Sequence, residues 1–268
     1  MENMRSSLRD IQLSYFLPAC LISLGYILIS ASFSQSLGYT LLGLTLILIA
    51  LRRDSKERWY FLWLWIGVFI LSLVVVDTAV NFHNFVVMTS GLIASVVIPY
   101  VLAHRKYKHS FVHMGLDFRR RWTRKEIGFV VFAVTMTAFW QPFYFLTTNA
   151  HSHWHFDNWF NVLVSFVVIM IIGLWEEFFF IALVLTIYKQ YLPFWGANAL
   201  QASMFASFLY QMGFTGWIVP LVMVYALYQG YVFHVTRSLF VTITIHVLVD
   251  LIVFLSLLYS SHPGFLFG

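Results

Sequence analysis

Apolar residues in this chain run together in long blocks separated by short polar or basic segments. A helix needs roughly 20 residues to cross the hydrocarbon of a bilayer, and by that measure the blocks predict nine spans. They lie near 11–32, 35–51, 59–77, 84–103, 127–148, 159–188, 197–213, 216–235 and 238–260. The sixth is longer than a crossing requires, which predicts a tilted or broken helix. The seventh is short enough to enter from one side only. The chain is therefore expected to be all-α, a polytopic transmembrane bundle of eight or nine spans around a cytoplasm-facing cavity. It reads as a single membrane domain over 1–268, with N-terminal spans and a basic loop in 1–126 and the core in 127–268.

Composition agrees: 60% of the 268 residues are hydrophobic and 10% charged, which excludes an ordinary soluble domain. No internal repeat or low-complexity linker interrupts the blocks. The net charge of +5 would suit nucleic acid, but the position of the charges excludes that partner. With a cytoplasmic N-terminus, nine crossings bring all 16 Lys and Arg to the inner side, from Arg5 and Arg9 through the 52–58 and 104–126 segments to Lys189 and Arg237. Cleaving the first block as a signal would put fourteen of them outside, so that block is read as a retained span. The basic segment 104–126 is expected to face anionic headgroups and set topology, which makes membrane lipids a partner. Trp59, Tyr60, Trp154, Trp159 and Tyr188, near span ends, fit interfacial belts. The single cysteine, Cys20, lies in the first block, excludes an intrachain disulfide and reads as a small buried apolar residue.

Chemistry concentrates in GLWEEFFFIALVLTIYK, where Glu176 and Glu177 interrupt an apolar run with no neighbouring cation. On insertion scales each acid at a span centre costs about 2.5 to 3.5 kcal/mol, so a pair there is a functional-site candidate. Of the eleven acidic residues only these two and Asp250 lie deep, and of the ten histidines only His246 does; His234 is near a span end. At about 1.5 Å per residue, the glutamates lie about 17 Å, and His246 and Asp250 about 12 and 18 Å, from the inner ends of their spans. The two sets thus reach one level. His246 and Asp250, four apart, share a helix face, which predicts an imidazole oriented by its carboxylate. Adjacent residues diverge on a helix, so one glutamate is expected to face the site while the other turns toward a neighbouring helix. A carboxylate and an imidazole so placed can activate water and steady an oxyanion. The same groups could instead hold a zinc through Glu and His, although no HExxH is present and no cofactor is the favoured expectation. A proton relay of the transporter type is the third reading.

The order of these groups resembles the CPBP family of CAAX prenyl proteases, bacteriocin-processing proteases and lysostaphin-resistance-like proteins. The resemblance rests on Glu176-Glu177, a following span with Phe205, and GYVFHVTRSLFVTITIHVLVD ending in HxxxD, over roughly 159–260, with a weaker echo in MGLDFRRRWTRKEIGF. It implies a helical membrane bundle with a conical cavity, a water-activating glutamate at Glu176, its neighbour at Glu177, and assisting groups at His246 and Asp250. It also implies a prenylated or membrane-associated peptide substrate cut near the cytoplasmic face, and a bacterial or archaeal plasma membrane. Two positions depart from the family pattern EExxxR, FxxxH, HxxxN/D. Ile181 stands where an arginine is usual, and Leu209 follows Phe205 where a histidine is usual. A catalytically silent member, acting as a scaffold, partner-binding or immunity protein, is the alternative these departures imply.

Three further features fit less directly. His151, His153 and His155 alternate in an outer loop, as a polar turn or a surface metal site. Pro142 and Pro220 fall inside spans, where each would kink its helix. Tyr225, Tyr228 and Gln229 suit a helix–helix contact or a cavity mouth.

Overall fold

Each of the nine apolar blocks becomes a helix. The structure, a computed structural model, describes residues 2–51, 55–74, 82–107, 116, 120–148, 156 and 158–261. In chain order the helices are α1 (Glu2–Ser30), α2 (Gln35–Ala50), α3 (Ser55–Ser72), α4 (Phe82–Tyr107), α5 (Arg124–Thr147) and α6 (Trp159–Glu176). The last of these runs on as a π-helix (Glu177–Leu185) into α7 (Thr186–Tyr191). Then come α8 (Phe194–Gln211), a 3₁₀ turn (Gly216–Ile218), α9 (Val219–Thr236) and α10 (Leu239–Ser261). Among the described residues there is no strand. Five helical segments are long and apolar enough to cross a bilayer, Val86–Arg105, Arg124–Thr147, Trp159–Tyr191, Gly216–Thr236 and Leu239–Ser261, with three shorter apolar helices beside them. The protein is an integral membrane protein built as a helical bundle.

Local chemistry sets the helix ends. Thr123 and Glu126 form a reciprocal capping box at the start of α5, and Arg120 pairs with Glu126 from the preceding segment. Gly213 (φ 98°) and Gly216 (φ 76°) supply the left-handed conformations that turn the chain from α8 to α9. The Tyr144 hydroxyl pins that turn to α5, accepting from the Thr215 N–H at 3.1 Å. Pro220 does not kink a helix from within. It sits in the first turn of α9, where a missing N–H leaves no hydrogen bond unmade. Pro142 lies inside α5, as expected.

The sixth span is not broken. Its 33 residues form one rod, because the π-helical segment changes the winding without interrupting it. Polar clasps fasten the N-terminal helices to this rod. Tyr188 donates to the Ala19 carbonyl at 3.1 Å and pairs with Ser23 Oγ at 2.9 Å, and Trp175 Nε1 donates to Ser95 Oγ at 3.2 Å. Ser30 likewise donates to Ser207 on α8 at 2.9 Å. Between helices in lipid, where the hydrophobic effect gives no drive, such bonds contribute about 0.6 to 2 kcal/mol each. Tyr188 is therefore fully buried rather than part of an interfacial belt, and Cys20 is half-buried rather than buried. Trp154, the His151, His153 and His155 loop, and residues 108–115 and 117–119 of the basic segment lie outside the described residues.

Candidate active site

Glu176 ends the α-helical part of its rod and Glu177 opens the π-helix; both are almost wholly buried. From α10, His246 enters between them. Its Nε2 lies 2.9 Å from Glu176 Oε2 and its Nδ1 2.7 Å from Glu177 Oε1. Sequence predicts one glutamate facing the site and the other turned toward a neighbouring helix; here both meet the imidazole, and Glu177 also meets Gln229 of α9. The winding changes at the junction between them, and an imidazole offers a nitrogen on each of two edges, so consecutive side chains meet one ring.

Asp250 is present but not as the orienting partner. Its Oδ1 is 3.8 Å from Nε2, beyond hydrogen-bond reach and on the ring nitrogen that Glu176 already occupies. The partner of Nδ1 is Glu177, from another helix. Three carboxyl groups therefore surround one imidazole, which can balance at most one negative charge. Glu176 Oε1, Glu177 Oε2 and Asp250 Oδ2 have no hydrogen-bond partner among the described residues.

Two residues that complete the geometry carry little signal in sequence. Gly173, one turn before Glu177, is the close-approach point of α6 and α10: a Cβ there would overlap the Asp250 carboxyl and stand 3.1 Å from His246 Cδ2. Gln229, on α9, directs Nε2 to Glu177 Oε1 at 3.0 Å, to the Tyr225 hydroxyl at 2.9 Å and toward the Thr242 carbonyl at 3.3 Å. A glutamine within an apolar span at this depth was the available signal, and the helix–helix contact expected of it is real. What the sequence did not show is that its partner is a site carboxylate. Tyr225 stands edge-on to His246, with ring centres 5.8 Å apart, and Phe205 lies 6.0 Å from the same imidazole.

Glu176, His246 and Asp250 reach the wall of a cavity of about 270 Å³, while Glu177 lies behind them. The rest of the wall is mainly apolar and aromatic, with Leu209 on it and Ile181 packed into the core. Along α10 the lining runs from His246 to Leu257, along α5 from Phe132 to Phe145, and along α9 from Tyr228 back to Leu221, with Ile218 of the 3₁₀ turn beyond it. All three directions lead away from the helix ends that carry Arg124, Lys189 and Arg237. Toward those ends the acidic cluster forms the floor of the cavity. Phe132, Met136 and Trp140 on α5 and Val224 on α9 both line the cavity and are exposed on the bundle surface, so it opens sideways between these helices. The Tyr228 hydroxyl, donating to the Phe129 carbonyl at 2.6 Å, bounds this slot at one end, and the Trp140–Trp217 contact at 6.2 Å bounds it at the other.

Among the described residues no group of three or more His, Cys, Asp or Glu side chains is disposed to hold a metal ion. Both imidazole nitrogens already face carboxylates, and the carboxylates bracket the ring instead of converging on a common point. His234 lies apart from the site, stacked on Phe194 at 4.0 Å.

Residues 157–252, just over a third of the chain, match the family model described as type II CAAX prenyl endopeptidase Rce1-like. That segment holds Gly173, both glutamates, Tyr225, Gln229, His246 and Asp250. No curated protein and no solved structure matches the chain.

Proposed function

We propose, from a core that over residues 157–252 belongs to the Rce1-like CAAX protease family, that this integral membrane protein is a glutamate-dependent endopeptidase. Its substrate is a prenylated or otherwise membrane-associated peptide. The observation that carries the reading is the meeting of two glutamates from one span with an imidazole from another at the floor of a cavity. Isolated acids in hydrocarbon are costly, and a helix contact alone would need neither three carboxyls nor an adjoining space.

Glu176, whose Oε1 has no partner among the described residues, takes a proton from water as the water oxygen bonds to the scissile carbonyl carbon. The carbonyl π electrons move onto oxygen. As the C–N bond breaks, the proton passes from Glu176 by way of the adjacent His246 Nε2 to the leaving nitrogen. The products are a carboxyl group and an amine. Glu177 holds Nδ1 and fixes the ring, and Asp250 adds negative charge beside Nε2. The chemistry needs no metal. His246 is seven residues into α10, about 10 Å by helical rise, which sets the reaction near the basic end. The placement of Lys and Arg supports a cytoplasmic side for that end and the N-terminus, and the family resemblance implies a bacterial or archaeal plasma membrane.

The test is cleavage of farnesylated and unprenylated peptides by the purified protein in liposomes, beside Glu176→Gln and His246→Ala. Native cleavage lost in both variants supports the reading; undiminished rates in both would remove it. A second reading is favoured by Ile181 and Leu209, which are apolar where the family pattern is polar: a member without catalysis that uses the cavity to hold a membrane partner. Tight binding of such peptides with no cleavage by the native protein would select it.

A further inference from the structure

The cavity wall beside the acidic cluster is rich in acceptors and poor in donors. Glu176 and Asp250 present carboxyl oxygens, both nitrogens of His246 face carboxylates, and Leu209 is apolar. The Tyr228 hydroxyl is spent on the Phe129 carbonyl. A peptide carbonyl turning into a tetrahedral oxyanion needs a donor in this place. We infer that the Tyr225 hydroxyl is that donor. The inference rests on the proteolytic reading above.

Three observations point to Tyr225. It lines the cavity, and its ring stands perpendicular to His246 at 5.8 Å, at the level of the glutamates. Its oxygen accepts a hydrogen bond from Gln229 Nε2 at 2.9 Å, while its own hydrogen meets no acceptor among the described residues. Gln229 is in turn fixed by Glu177 and the Thr242 carbonyl, so the phenol is held by the same network that holds the imidazole. A donor that is oriented but unspent costs no reorganisation when negative charge develops opposite it. Phe205, 6.2 Å from the Tyr225 ring and 6.0 Å from His246, packs against both. In the step itself the hydroxyl keeps its proton. It donates a hydrogen bond to the carbonyl oxygen as the π pair moves there, and releases that oxygen when the C=O bond re-forms.

Tyr225→Phe removes one oxygen and keeps the ring. In the intact protein in liposomes, kcat for a peptide cleaved by the native protein should fall about 10²- to 10³-fold with KM nearly unchanged. Binding of a phosphonate analogue of the tetrahedral intermediate should weaken by a similar factor, while an uncleaved amide analogue binds as before. Tyr231→Phe, which removes a hydroxyl from a tyrosine that does not line the cavity, should leave kcat within about twofold. An undiminished kcat in Tyr225→Phe, a change in KM alone, or equal weakening of both analogues would overturn the assignment and leave the protease reading standing. A native protein that cleaves none of the peptides would overturn both.

Discussion

The side-chain amide of Gln229 lies 3.0 Å from Oε1 of Glu177, on the same oxygen that receives His246 Nδ1 at 2.7 Å. In the family pattern an arginine four residues after the second glutamate is a usual companion; here that position is Ile181, buried and apolar. A neutral amide from another helix supports the carboxylate instead. It adds a hydrogen bond without adding charge, so the three carboxyls share only the imidazole. Gln229→Leu should then cost about 1 to 3 kcal/mol by leaving Glu177 and Tyr225 short of a donor, read as a lower Tm in detergent. Gln229→Glu, which brings another acid, should lower Tm further.

The two glutamates should be separable. Glu176 lines the cavity, whereas Glu177 lies behind the ring and is shared by His246 and Gln229. Glu176→Gln should lower kcat by about two to four powers of ten with a small change in Tm. Glu177→Gln should lower kcat and also Tm, since it disturbs His246 and Gln229 together. Equal Tm values with equal rate losses would refute this division.

Gly173 and Gly128 make a matched pair. At Gly173 a methyl would press on Asp250 and His246, whereas at Gly128 nothing lies within 4 Å of an added Cβ. Gly173→Ala should cost about 1 to 3 kcal/mol and most of the activity by moving α10 off its seat. Gly128→Ala should be neutral or up to about 1 kcal/mol stabilising, as a helical Gly→Ala change. Thermal unfolding and peptide cleavage of both variants check the contrast.

The sideways opening predicts a route. Val224 is 60% exposed and lines the cavity, so Val224→Trp should narrow the slot without disturbing buried packing. KM for farnesylated peptides should rise at least several-fold while Tm stays within the range of surface substitutions, about 0.5 kcal/mol. An unchanged KM would direct attention to another entrance.

Chelators should leave the rate unaltered. With both His246 nitrogens facing carboxylates, the cluster offers no converging ligand set. Cleavage measured before and after exhaustive treatment with EDTA and 1,10-phenanthroline, with zinc added back, checks this. Loss restored by zinc would return the metal reading.

Block length and apolarity alone determined the bundle, because lipid leaves a chain few ways to satisfy its backbone except as helices, and the nine blocks reappear as nine rods. The rarity of deep ionisable groups also determined which side chains mattered: the cost of burying Glu176, Glu177, His246 and Asp250 marks them in one dimension, and helical rise put them at one level. Their pairing was decided only by tertiary structure. Sequence spacing favoured His246 with Asp250, one turn apart, but the π-helical winding at Glu177 and the missing side chain at Gly173 bring two other carboxylates nearer to the ring. Gln229 and Tyr225 were visible only as polar residues in an apolar span, because a helix pattern tells which face a residue occupies and not which neighbour that face meets. Which residues line the cavity was likewise beyond the sequence. Basic residues mark the ends of the helices, whereas an empty space between them depends on how far apart α5 and α9 stand.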